Sequence, residues 1–303
     1  MIRAVSAIET LEDPRGRQAR QLKAVIVLTG AILVVEAAGG LVSGSLALLS
    51  DAGHMLTDLL ALVLSLMAVR FAALPPNLEK TFGYHRLEIL TALLNGSLLI
   101  LVSGVLVWQS VRRFLHPAPI EGPVMFGVAL VGLLANLAGL GILSGHAQNL
   151  NIRGARMHIV GDTLSSVGVL LAAIVMAFTG WVRLDALVAG AIAIVIAFGA
   201  VRLVREAVDV LLEAAPEGLS LDDVSLAIGA IPGVIEVHDL HVWCITTGLP
   251  ALSGHVRIAV DAVLSNDDML NRIKQVVHER FGIVHTTLQI ESPAYQELGD
   301  FHP

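Results

Sequence analysis

Charge is what this sequence has least of. Asp, Glu, Lys and Arg make up 15% of its 303 residues, where a soluble domain carries about 25%. A soluble chain of this length, in one or two domains, needs more polar surface than that. Cysteine is nearly missing as well: Cys244 stands alone, which excludes a disulfide-stapled secreted scaffold. With 55% apolar residues and a mean hydropathy of +0.77, disorder and collagen-like repeats are also excluded. Basic residues run short in one place above all. Residues 1–212 hold 15 Lys/Arg against 13 Asp/Glu, but residues 213–303 hold 4 against 13, a balance of −9. A nucleic-acid binder shows the opposite bias. What is present is a nearly neutral apolar block followed by an acidic domain.

A helix needs roughly 20 apolar residues to cross the hydrocarbon core. Six stretches qualify, at about 24–42, 46–71, 87–115, 122–144, 157–180 and 184–204. Ser43-Gly44-Ser45, Pro75-Pro76-Asn77, His116-Pro117-Ala118-Pro119, a connection from Gly145 to Arg156, and Gly180-Trp181 separate them. With the N-terminus inside, twelve Lys/Arg fall on the inner side and only Arg112, Arg113 and Arg183 on the outer. The positive-inside rule therefore places both termini in the cytosol. The polar stretch before Lys23 lacks the apolar core and cleavage site of a signal peptide. A reducing cytosol also suits the unpaired Cys244.

Ionisable groups inside a bilayer are costly and point to function. The second stretch contains His54 four residues before Asp58, and the fifth contains His158 four residues before Asp162. That spacing puts each pair on one helical face. A single pair can be a local hydrogen-bonded couple that joins helices. Two matched pairs on two helices supply two imidazoles and two carboxylates, the four-coordinate set that suits Zn²⁺. Ca²⁺ and Mg²⁺ take more oxygens and rarely His. Glu36 and Asp51 also lie in or near these stretches without a matching partner, Glu36 reading as a helix contact in preference to a proton site. Asn95, Gln109 and Asn136 read as interhelical contacts. Depth raises a difficulty: Asp58 lies roughly 20 Å below Ser45 and Asp162 roughly 28 Å below Trp181 at helical rise. The pairs meet only if the fifth helix tilts or protrudes outward, or if a cytosolic cavity dips to them.

In the tail, residues 219–230 read as a helix, Val234–Ile245 as a strand, Thr246–Pro250 as a turn and Ala251–Val260 as a strand. Asn266–Phe281 reads as an amphipathic helix and His285–Ile290 as a third strand. The order α-β-β-α-β predicts a small α+β, ferredoxin-like domain with its helices on one face. Six of the eleven histidines fall here, and His beside carboxylate is a plausible metal cluster. His238 and His241 are expected on opposite strand faces because their spacing is odd. His278 and His302 read as surface residues, Trp243 and Cys244 as packing.

The runs Ser45–Asp58, Phe82-Gly83-Tyr84-His85-Arg86-Leu87-Glu88-Ile89-Leu90 and His158–Asp162 closely resemble the cation diffusion facilitator family, over residues 20 to 293. The cobalt–zinc–cadmium resistance type of bacteria and the vesicular zinc transporters are the nearest in look. The resemblance implies a homodimeric metal/proton antiporter with six spans and a metallochaperone-like cytosolic domain. It makes His54, Asp58, His158 and Asp162 the transport site, with His54 favouring Zn²⁺ over Cd²⁺. It makes His238, His241, His255, His285 and Glu291 candidate ligands of a cytosolic site for a regulatory zinc ion. The loop between the second and third spans carries one His and a Tyr where some members bind a second metal. That site is expected to be absent, with His85 interfacial or structural. The histidine-rich loop of eukaryotic members is missing, with His146 alone there, which points to a bacterial inner membrane.

The expected organisation is a cytosolic segment over 1–22, a transmembrane domain over 23–212, a metal-binding and dimerisation domain over 213–293, and a terminal tail over 294–303. The expected activity is export of a divalent cation, Zn²⁺ first, against protons, with membrane lipid and a second copy as partners and no nucleic acid. The alternative is a zinc-gated sensor or channel. An intramembrane metalloenzyme needs an open metal position and a general base. No H-E-x-x-H occurs, and the four-ligand set is closed, so no enzyme is expected.

Overall fold

The computed structural model describes residues 14–72, 74–142, 150–260 and 265–295, with the side chains of 14–25, several between 61 and 72, and 150–158 outside the description. Six long helices come first: α1 (Pro14–Ser43), α2 (Leu46–Ala72), α3 (Arg86–Leu115), α4 (Gly122–Ile142), α5 (Leu150–Thr179) and α6 (Arg183–Leu211). Among the described residues, five of them carry windows apolar enough to cross a membrane: 26–43, 86–115, 122–142, 159–179 and 183–211. α2, part of whose second half lies outside the described side chains, is the sixth long helix.

Several helices outrun the apolar stretches that mark them. α1 starts at Pro14, α5 at Leu150 and α6 runs on to Leu211. Residues 150–156 are therefore helical, where the sequence reads as a connection. Hydropathy marks where a helix meets lipid, while backbone hydrogen bonding continues into water wherever Arg, Ala and Leu favour it. Gly44 and Gly180, at φ of 67° and 68°, end α1 and α5 in a conformation that glycine adopts without cost.

The start of α2 is held by a buried carboxylate from α6. Asp185 accepts from Ser45 Oγ at 2.5 Å, Leu46 N at 2.8 Å and Ala47 N at 3.1 Å. A helix N-terminus presents unpaired N–H groups and a positive dipole end, so an anion there is favourable. The bundle core gathers small and aliphatic side chains, Leu48, Met125, Val169, Ala172 and Ala193 among them.

The tail holds α7 (Leu221–Gly229), β1 (Val234–Thr246), β2 (Leu249–Ile258), α8 (Asn266–Phe281) and β3 (His285–Glu291). The sheet order is β1-β2-β3, with β1 antiparallel and β3 parallel to β2. Ser220 and Ser265 cap the two helices by accepting from Asp223 N and Asp268 N, and Gly282 closes α8 in the left-handed region. Val224 and Ile228 of α7 and Met269, Ile273 and Val277 of α8 pack on Val242, Leu252 and Val256 of the sheet. Alternation along the strands leaves the other face to His238, His255, Arg257 and Glu291.

By contacts the chain divides into two compact units, Met1–Val63 with Asn95–Arg202, and Leu64–Leu94 with Leu203–Pro303. Within the second, the start of α3 meets the tail: Arg86 Nη2 donates to Glu213 Oε1 at 2.6 Å, Thr246 Oγ1 donates to Glu88 Oε2 at 3.0 Å, and Phe82 stacks edge-on against His285. A cavity of about 430 Å³ lies beside these contacts, lined by Tyr84, His85, Trp243 and Ile245.

Candidate metal centres

One turn of α2 brings His54 and Asp58 together, with His54 Nε2 3.3 Å from Asp58 Oδ2 and both side chains about three-quarters buried. Asp162 of α5 is buried. His158 lies one turn earlier on α5, but its side chain is outside the described residues, as are His146 and His302.

One hydrogen bond joins the two helices that carry these groups. Ser165 Oγ of α5 donates to Asp51 Oδ1 of α2 at 2.8 Å. His54 lies three residues along α2 from Asp51 and Asp162 three along α5 from Ser165, while Asp58 and His158 each lie seven from the same contact.

Asp51 and Glu36 each lack a matching partner by sequence pattern, yet they have one in space. Both are buried, and their carboxyl groups cluster with that of Asp162. Glu36 is seated against Gly132 of α4 so closely that a Cβ there would collide with its carboxylate. Asn136 donates to Ser166 Oγ at 3.2 Å, an interhelical contact of the expected kind.

In the tail, the sheet gathers three of the five candidate ligands. Ligand atoms of His238, His255 and Glu291 all lie within 4.8 Å of one another. His255 Nδ1 is 3.1 Å from Glu291 Oε1, His238 Nε2 is 3.4 Å from Glu291 Oε2, and the two imidazoles pack edge-to-face. Two nitrogens and a buried carboxylate suit a borderline-soft dication.

His241 corrects its expected position. His238 pairs with His255 and His241 with Ser253, so three steps on β1 oppose two on β2. The extra residue is a bulge at Asp239, whose φ is +48°. The bulge reverses the alternation and returns His241 to the face of His238. There His241 Nε2 meets Asp239 Oδ1 at 2.9 Å, and Asp239 Oδ2 lies 3.9 Å from His255 Nε2. His285 is separate from the cluster, exposed at the start of β3 and stacked on Phe82. Sequence pattern missed Asp239, Ser165 and Asp185: a bulge and a contact between helices leave no periodic trace. Burial pushes the Cys244 thiol above its ordinary pKa.

Two carboxylate–imidazole constellations, one within the helices and one on a tail sheet, describe a protein built to handle cations. The cation efflux transmembrane domain matches residues 22–212, and the cation efflux protein cytoplasmic domain matches residues 216–293. The chain belongs to the cation efflux family. This cation efflux protein is 39% identical over 275 residues to the cadmium, cobalt and zinc/H(+)-K(+) antiporter of Bacillus subtilis, covering 89% of this chain and 88% of that one. It is 40% identical over 280 residues to the metal cation efflux system protein CzcD of Cupriavidus metallidurans, covering 92% and 88%. It is 37% identical over 281 residues to the zinc transporter ZitB of Escherichia coli, covering 92% and 89%. It is a membrane transporter, not an enzyme: a helical transmembrane domain followed by a cytoplasmic domain of strands and helices.

Proposed function

We propose that this cation efflux protein exports Zn²⁺ from the cytosol in exchange for protons, with His54, Asp58, His158 and Asp162 as the transport site. The observation that carries this reading is the His54–Asp58 pair on α2 and the buried Asp162 on α5, two helices joined by the Asp51–Ser165 contact. Neutral imidazoles and carboxylates bind the ion, and protonation displaces it, since the unperturbed pKa of His lies near 6.5. Alternation between inward- and outward-facing states completes the cycle. The names of the zinc and zinc/H(+)-K(+) relatives support both ions.

The same reading makes His238, His255 and Glu291 a regulatory zinc site in the tail, with His241 beside it and His285 a packing residue. It also makes the protein a homodimer through the cytoplasmic domain, with both termini in the cytosol and a bacterial inner membrane as its place. The domain limits proposed are 23–212 and 213–293. Zinc shared between two acidic tails would neutralise their repulsion and bias the transport equilibrium.

Purified protein in liposomes should accumulate Zn²⁺ when the lumen is more acidic than the medium, and Asp162→Ala should abolish the uptake while the protein still folds and inserts. Uptake that persists in Asp162→Ala overturns the site.

A further inference from the structure

The sheet face that carries the tail cluster also carries a cation of the protein's own. Cross-strand pairing sets out two rows, His238 opposite His255 opposite Gln289, and Glu236 opposite Arg257 opposite Glu291. Arg257 therefore stands on the central strand between two carboxylates. Its Nη1 donates to Glu236 Oε2, and its Nη2 lies 3.8 Å from Glu291 Oε2. That second oxygen is the one 3.4 Å from His238 Nε2. Glu291 is buried whereas Glu236 is half exposed. Arg257 Nε is buried and makes no hydrogen bond among the described residues, so the guanidinium is not locked by a third contact.

We propose that Arg257 sets the metal affinity of the tail site by competing for Glu291. A buried carboxylate needs a countercharge. In the metal-free protein the guanidinium supplies part of it. An incoming dication supplies more, and repels the guanidinium at the same time. Arginine keeps its proton under all ordinary conditions, so it yields by moving and not by becoming neutral. Glu236, already hydrogen-bonded to the other end of the fork, holds it as it leaves Glu291. Binding is then weaker than the ligand set alone would give, and the site fills only when metal is abundant, as a sensor requires. This rests on the reading of His238, His255 and Glu291 as a metal site.

Substitutions of Arg257 and of its partner Glu236 make opposite predictions. In full-length protein carrying Asp58→Ala and Asp162→Ala to silence the transport site, Zn²⁺ alone is titrated calorimetrically. Arg257→Gln should tighten binding roughly tenfold, the scale of changes just outside a ligand set. Glu236→Gln should weaken it severalfold, because the guanidinium is left with Glu291 as its carboxylate. The double substitution should follow Arg257→Gln. A merely structural role for Arg257 would weaken binding in both variants, and that result, or unchanged binding, overturns the inference while leaving the metal site in place. His238→Ala separates the two readings: if it leaves Zn²⁺ binding to the tail unaltered, the metal site itself fails and the competition with it.

Discussion

Two of the candidate ligands in the tail meet a neighbour that is not one: His241 meets Asp239 and Glu291 meets Arg257. The i, i+4 pairs were legible in the sequence because a helix makes that spacing local. The contact of Glu291 with Arg257 was not, since it joins residues far apart in the chain, and His241 changed faces through the backbone angle of a single residue. Cys244 offers a test at this scale. The thiolate is the reactive form, and burial holds the thiol protonated above its ordinary range. Alkylation of folded protein at pH 8 should be slower than that of a free thiol, rising only at a pH beyond about 8.5. Labelling as fast as in the unfolded chain would show that burial does not act on Cys244.

Among the elements, the clearest dependence is of α2 on α6. Asp185 takes three donors at the head of the helix that carries His54 and Asp58. Asp185→Ala leaves buried donors unmet, at a cost of about 2 kcal/mol. Thermal unfolding of detergent-solubilised protein should show a lower midpoint, with Asp185→Asn between it and the parent. An unchanged midpoint would mean that the cap contributes nothing. Tail elements matched their sequence signals closely, because Ser caps, a closing glycine and strand alternation are written in adjacent residues. The ends of α1, α5 and α6 did not, because hydropathy reports the lipid boundary and not the helix boundary.

For the whole molecule, scarcity of charge is what makes its placement informative. Residues 1–212 are nearly neutral, with a few ionisable groups gathered inside the bundle, while the tail carries −9. In the proposed function, metal in such a tail acts on a repelling surface, and metal in the bundle meets imidazoles that protons contest. Export against protons is the central claim, and uphill movement tests it most directly. Liposomes holding the purified protein are given equal Zn²⁺ on both sides and a pH difference across the membrane, with zinc and pH dyes inside. Proton-coupled exchange predicts that Zn²⁺ accumulates in the more acidic compartment while the pH difference collapses faster than in Asp162→Ala liposomes. A zinc current that runs only down its own gradient, with no proton movement, would contradict it and mark the protein as a channel.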